Sequence, residues 1–125
     1  VKTIAYIALG GAIGALARYG VGLFLKPAIT AVFPIHTFLI NIIGSFLIGI
    51  AAHFATQLSN PEFVQFMVIT GILGGFTTFS SFSLESIQLI QQGKIVTALT
   101  YVTLSTLVGI TLAWFGYSLP KLLTA

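Results

Sequence analysis

The sequence predicts an all-α integral membrane protein of four transmembrane helices, the third of them broken near its middle. Three observations lead there. The 125 residues are 57% hydrophobic and only 6% charged, with a mean hydropathy of +1.08. A soluble domain carries about 25% charged residues, so this chain has too few to clothe a water-exposed surface. Its apolar residues fall into four runs, each able to cross about 30 Å of hydrocarbon, which takes roughly 20 helical residues. The third run is interrupted by glycine and threonine. The length fits a single transmembrane domain over residues 1–125.

The first span is expected over Thr3–Leu25, with Pro27 after it. It runs past Leu16 without a small-residue cleavage site, so no cleavable signal peptide is expected. Gly10 and Gly14, and Gly11 and Ala15, repeat at four-residue spacing, a stripe that lets helix backbones approach closely in lipid. The second span is expected over Ile35–Gln57, opened by Pro34 and carrying the similar pair Ser45 and Gly49. The third runs over Glu62–Gln92, opened by Pro61 with Ser59 and Asn60 as N-caps and stopped by Gly93. The fourth runs over Ile95–Leu119, ended by Pro120. All four prolines thus fall at span edges, where a residue without an N–H does least damage. Short loops make consecutive helices antiparallel neighbours.

Five positive residues are scattered, Lys2, Arg18, Lys26, Lys94 and Lys121, with no basic run to bind nucleic acid. With the N-terminus inside, Lys2 and Lys121 lie inside while Lys26 and Lys94 lie outside. The lysine and arginine bias that normally sets topology is therefore nearly absent. That balance predicts insertion in both orientations and an antiparallel dual-topology homodimer. Thirteen glycines, most of them within spans, predict tight packing against partners. One four-helix chain also leaves little room for an aqueous pore. The chain has no cysteine, which excludes disulfides and thiolate metal sites.

The run Thr70–Ser83 is the least helical part of any span: three glycines within five residues, then Thr77 and Thr78. Unwound backbone at membrane depth is tolerated only where protein buries it or a cavity receives it. Freed carbonyls there coordinate cations and freed N–H groups bind anions. A continuous, closely packed glycine-rich helix is the alternative. Phe79 and Phe82 are three apart and share a helix face, with Glu85 next on that side. Paired phenylalanines are ordinarily core or lipid contacts, but hydroxyls at Thr77, Thr78, Ser80, Ser81 and Ser83 surround these two. The positive edge of an aromatic ring suits an anion path.

Thr37 and Asn41 lie one turn apart on the second span, and Tyr101 and Ser105 one turn apart on the fourth, with Gly109 next. Each pair reads either as interhelical hydrogen bonding or as pathway lining; Asn41 offers two N–H donors. Arg18 and Glu85 are the formal charges well inside spans, and intramembrane charges mark functional sites by default. Arg18 either lines a vestibule that attracts anions or caps a neighbour's carbonyls. Glu85 is a proton carrier, a cation ligand or a neutral hydrogen-bonder. His36 and His53 lie near span ends, read as interfacial, and lack metal-ligand spacing; Trp114 and Tyr117 read as aromatic-belt anchors. No nucleophile–base pair, phosphate loop or paired carboxylate site is present, so an enzyme is not expected.

Taken in order, Gly10–Tyr19, Asn41 with Gly44-Ser45-Phe46, Gly74–Phe82, and Tyr101 with Ser105 resemble the Fluc (CrcB) fluoride channels over essentially the whole chain. The resemblance implies an antiparallel homodimer in the cell's inner (plasma) membrane, with two fluoride pores and a central structural sodium ion. It implies that the carbonyls of Gly74 and Thr77 from both subunits hold the sodium. Phe79 and Phe82 would line the pores by their ring edges, and Asn41 would donate to fluoride. Tyr101 and Ser105 would continue the polar route, with Arg18 toward the vestibule; Thr37 and Ser81 are further expected lining residues. Gly109 stands where some relatives carry a second serine, which leaves the last polar step open. The competing expectation is a small proton-coupled multidrug exporter, also a four-helix dual-topology dimer. Such an exporter needs an acid in its cavity, typically on the first helix, and here that helix carries Arg18 and no acid.

Overall fold

The computed structural model describes residues 1–25 and 32–124. Six helical segments are present: α1 (Lys2–Leu25), α2 (Ile35–Gln57), α3 (Phe63–Leu73), α4 (Gly74–Phe76), α5 (Phe79–Gln91) and α6 (Ile95–Thr124). No strand occurs among the described residues. The segments α3, α4 and α5 follow one another as a single bent unit, Phe63–Gln91, so four units are long and apolar enough to cross a membrane. Their outer faces carry large apolar side chains such as Phe24, Leu99 and Trp114, each more than half exposed. Lipid, not water, is the solvent that tolerates such a surface. The chain is a multi-pass membrane protein.

Local chemistry sets the helix ends. Pro34 is the residue before α2. Ahead of the third span the Asn60 side-chain oxygen accepts from the Glu62 N–H at 3.3 Å, a local Asx-type turn; the helix itself carries no side-chain cap at its start. After α5, Gly93 takes φ +76. Its N–H and that of Lys94 donate back to Ile90 and Leu89 at 3.0 and 2.9 Å. That is a Schellman stop, which needs a residue free to adopt a left-handed conformation. The expected stop at Pro27 lies outside the described residues. The expected stop at Pro120 is not made: α6 runs through it to Thr124. Proline costs a helix one N–H bond and a clash with the carbonyl four residues earlier. Here that earlier residue is Gly116, and one further turn follows.

Pairing among the spans follows the expectation of consecutive neighbours only in part: the second span touches the third and the third touches the fourth. The extensive contacts join α1 to α3 and α4, and α2 to α6, whereas α1 and α2, consecutive in the chain, touch little. Glycine decides this. An added Cβ at Gly10 would meet the Met67 carbonyl, and one at Gly14 the Ile72 carbonyl. From the other side, a Cβ at Gly75 would stand 2.6 Å from the Gly11 carbonyl. Between α2 and α6, a Cβ at Gly49 would meet the Ala113 carbonyl and one at Gly116 the Phe46 carbonyl. The stripes expected to serve partners therefore bring together first and third spans, and second and fourth, within one chain. Spans so paired cross in the same direction, because each crossing reverses the chain.

Along α3 the backbone is wound as a π-helix for eleven residues. Such winding is usually confined to single turns and concentrates near functional sites. Nothing in the sequence pattern announced it.

Candidate functional site

The third span breaks at Thr77 and Thr78, whose backbone is extended (φ −82, ψ 159 and φ −150, ψ 115). The glycines before the break stay helical; Gly71 and Gly75 serve the approach to α1. Two extended residues at membrane depth leave polar backbone without helical partners, and α2 supplies what is missing. Asn41 Nδ2 donates to the Thr78 carbonyl at 3.0 Å, while the Thr78 N–H donates to Asn41 Oδ1 at 2.8 Å. One side-chain amide thus satisfies both backbone groups of Thr78. Ser45 Oγ in turn donates to the Asn41 carbonyl at 2.7 Å. The Thr78 hydroxyl restarts the helix by accepting from the Ser81 N–H at 3.1 Å, as an N-cap does.

These bonds have a consequence for two carbonyls. In an uninterrupted helix the Gly74 carbonyl accepts from the N–H of Thr78, and the Thr77 carbonyl from that of Ser81. Here the first donor goes to Asn41 Oδ1 and the second to Thr78 Oγ1. Both carbonyls have lost their regular helical donors.

Two cavities flank the break. The larger, an open cleft of about 410 Å3, is lined by Asn41, Ser45, Gly74, Thr77, Thr78, Phe79, Phe82, Ser105 and Gly109 among others. Phe79 is 79% exposed, so its ring stands uncovered on the outer side of the cleft. The Phe79 and Phe82 rings lie 5.6 Å apart and tilted by 47°. Ser105 Oγ is buried in this wall with no hydrogen-bond partner, the one such side-chain atom among the described residues. An unpaired buried hydroxyl costs about 1–3 kcal/mol, and a ligand in the cleft would relieve it.

The smaller cavity, about 340 Å3, is lined by Arg18, Tyr19, His36, Thr37, Ser81 and Glu85 with Ala15, Ile40 and Thr78. Thr78 is common to both linings, so the Asn41–Thr78 clasp stands where the two spaces meet. Glu85 accepts from the Thr37 hydroxyl at 2.7 Å and from the Tyr101 hydroxyl at 2.9 Å. Its carboxylate therefore ties α2, α5 and α6 together. Tyr101 is fully buried, with its ring 5.1 Å from that of Phe82 and its hydroxyl turned to Glu85. The residues expected from sequence divide accordingly. Asn41, Phe79, Phe82, Ser105, Gly74 and Thr77 gather on the cleft. Arg18, Thr37, Ser81 and Glu85 gather on the smaller cavity, and Tyr101 stands behind Phe82 and joins both through its two contacts. Among the described residues no cluster of three or more His, Asp or Glu side chains is placed to hold a metal ion.

Comparison with known proteins decides the family. The family model described as CrcB-like protein, Camphor Resistance (CrcB), matches residues 5–117. The chain belongs to the CrcB family. Among CrcB relatives, a Flavobacterium psychrophilum protein named fluoride-specific ion channel FluC is 41% identical over 121 residues, 96% of this chain and 98% of that one. Proteins of the same name from Methylobacillus flagellatus and Thermus thermophilus are 41% and 42% identical, over 93% and 90% of this chain and 92% and 89% of theirs. In this CrcB-family chain, sequence reasoning missed two things. One is that Asn41 spends one donor and one acceptor on the break. The other is that His36, read as interfacial, lines the cavity that holds Arg18 and Glu85. The position of His36, one residue before Thr37, was the available signal for the second.

Proposed function

We propose that the chain is a fluoride-selective ion channel that lets fluoride leave the cell passively across the inner (plasma) membrane. The observation that carries the reading is near-full-length similarity, at 41–42% identity, to proteins named fluoride-specific ion channels. The cleft supports it chemically. Fluoride is small and strongly hydrated, so a pathway must replace its water with donors. Asn41 keeps one N–H beyond the one given to Thr78, and Ser105 Oγ is unpartnered. Phe79 and Phe82 offer ring edges, which attract an anion weakly. Weak, repeated sites are what conduction requires, since binding must also release. An inside-negative potential drives a single negative charge outward by about 2.3 kcal/mol per 100 mV, so no coupled ion is needed.

The working unit is an antiparallel homodimer with two pores. The exposed Phe79 ring and the balanced lysines support it: a second copy would cover the open side of the cleft. A central structural Na+ belongs to the same reading. The carbonyl oxygens of Gly74 and Thr77, each without its helical donor, fit a hard cation that prefers oxygen ligands. Two oxygens are too few for such an ion, and a second copy would bring two more. The ion would take up the lone pairs these carbonyls leave unpaired at membrane depth and pin the two breaks together.

The multidrug-exporter reading lacks an acid free to release protons against a cationic substrate, since both oxygens of Glu85 are engaged by hydroxyls. The test is efflux from liposomes containing only the purified protein. Fluoride should leave rapidly and chloride should not; retention of both ions would sink the reading.

A further inference from the structure

The smaller cavity carries a second group able to become a cation. His36 sits in the first turn of α2, and its Nε2 lies 3.2 Å from the Arg18 carbonyl. A carbonyl only accepts, so Nε2 carries the proton and Nδ1 is the bare nitrogen of the neutral ring. The ring is held against bare α1 backbone: a Cβ added at Gly22 would stand 3.1 Å from the imidazole. This fixed ring lines the same cavity of about 340 Å3 as Arg18, Thr37, Ser81 and Glu85.

We infer that His36 is an anion-binding residue of this vestibule, and that its protonation adds a second positive charge beside Arg18 and so sets how strongly fluoride is gathered there. The inference rests on the channel reading above. The charged and titratable groups around His36 are few. Arg18 and Tyr19 face the cavity from α1 and Glu85 from α5, with Tyr101 of α6 reaching it through its bond to Glu85. Arg18 is positive throughout the range of interest. Glu85 is already committed to two hydroxyl donors. Histidine is the side-chain type whose ordinary charge change falls between pH 5 and 8. Protonation changes Nδ1 from acceptor to donor while adding a charge, and both changes favour an anion. A charge in a confined, low-dielectric mouth raises local counter-ion concentration and entry rate.

The test is fluoride efflux from liposomes at pH 6 and pH 8, with leak from protein-free liposomes subtracted at each pH. The parent should conduct roughly threefold or more faster at pH 6. His36→Gln keeps an N–H for the Arg18 carbonyl but stays neutral, so it should hold the parent's pH 8 rate at both values. His36→Arg keeps the charge and should hold a rate near the parent's pH 6 value at both. His53→Gln, on the far part of α2 against Tyr117, should retain the parent's ratio. The parent's pH ratio surviving in either His36 variant, or a parent with no pH ratio, would overturn the inference while leaving the channel reading intact. No fluoride efflux from the parent at either pH would overturn both.

Discussion

The side-chain amide of Asn41 closes on both backbone polar groups of Thr78, with bonds of 3.0 and 2.8 Å. A residue expected to serve the ion therefore also holds the break open. Asn41→Asp keeps an acceptor for the Thr78 N–H, loses the donor to its carbonyl and places a negative charge on the proposed anion path. Fluoride flux should fall to background, and the protein should also lose about 1–3 kcal/mol of stability, the cost of one buried unpaired group. Efflux together with denaturation in detergent checks this. A mutant that conducts like the parent would remove Asn41 from the pathway.

Phe79 and Phe82 separate packing from conduction. Phe79 is exposed in the single chain, whereas Phe82 packs on Tyr101. Replacing each with Ile keeps an apolar side chain but removes the ring edge. Both variants should lose flux. Phe79→Ile gives up one exposed ring contact, to Phe82, and should cost an isolated subunit less than Phe82→Ile, which gives up contacts to both Phe79 and Tyr101 at about 0.5–1.5 kcal/mol each. Unchanged flux in both would mean that the rings only pack.

Glu85 holds two hydroxyls that are all but inaccessible: Thr37 is 2% exposed and Tyr101 0%. Glu85→Ala strands both and should cost about 1–3 kcal/mol for each. Glu85→Gln retains one oxygen acceptor and should cost less. A cycle with Thr37→Val should show coupling, because the two residues share one bond. Additive losses in that cycle would show that the 2.7 Å bond contributes nothing.

Much of this was legible in the sequence because the bilayer restricts the answer. Apolar runs of this length have one use, and the second span begins and ends where it was expected. The break was legible too: glycines followed by Thr77 and Thr78 marked it, and the extended residues are the two threonines while the glycines stay helical. Gly71 and Gly75 are helical and serve the approach to α1; Thr77 and Thr78 unwind because Asn41 and the Thr78 hydroxyl offer alternative partners. That exchange spans 37 positions of sequence, and no local pattern encodes it. The close pairing of first with third span and second with fourth was not legible, for a related reason. Four-residue stripes show that a helix has a close neighbour, and the facing stripe that identifies the neighbour lies elsewhere in the chain.

Two glycines three residues apart on α1 make that pairing testable. A Cβ at Gly14 would meet the Ile72 carbonyl and stand 2.8 Å from the Phe76 nitrogen, whereas a Cβ at Gly11 meets nothing within 4 Å. Gly14→Ala should force α1 away from α3 and α4 and cost about 1–3 kcal/mol, as overpacking does. Gly11→Ala should be neutral or slightly stabilising. Thermal denaturation of the two proteins in one detergent is the measurement. Equal losses would mean that the stripe does not decide the contact.

The carbonyls of Gly74 and Thr77 give the last prediction. Both are without their helical donors because Thr78 and Ser81 give their N–H groups to side-chain oxygens. If backbone oxygen holds Na+, the side chain at position 77 matters little to the ion. Thr77→Ser keeps the hydroxyl that donates to the Leu73 carbonyl at 2.9 Å and should leave sodium binding intact. Gly74 is different. Within one chain a Cβ there meets only the Ile69 carbonyl, at 3.6 Å, so a branched side chain has room until a second copy arrives. Gly74→Val should therefore spare the fold of the subunit but abolish sodium-dependent stabilisation of the dimer. Melting temperature and dimer fraction, measured in sodium and in a large organic cation, distinguish the outcomes. Equal stability of the parent in both salts would end the sodium proposal. Loss of helix in Gly74→Val would show that the residue is needed inside the subunit, not between two of them.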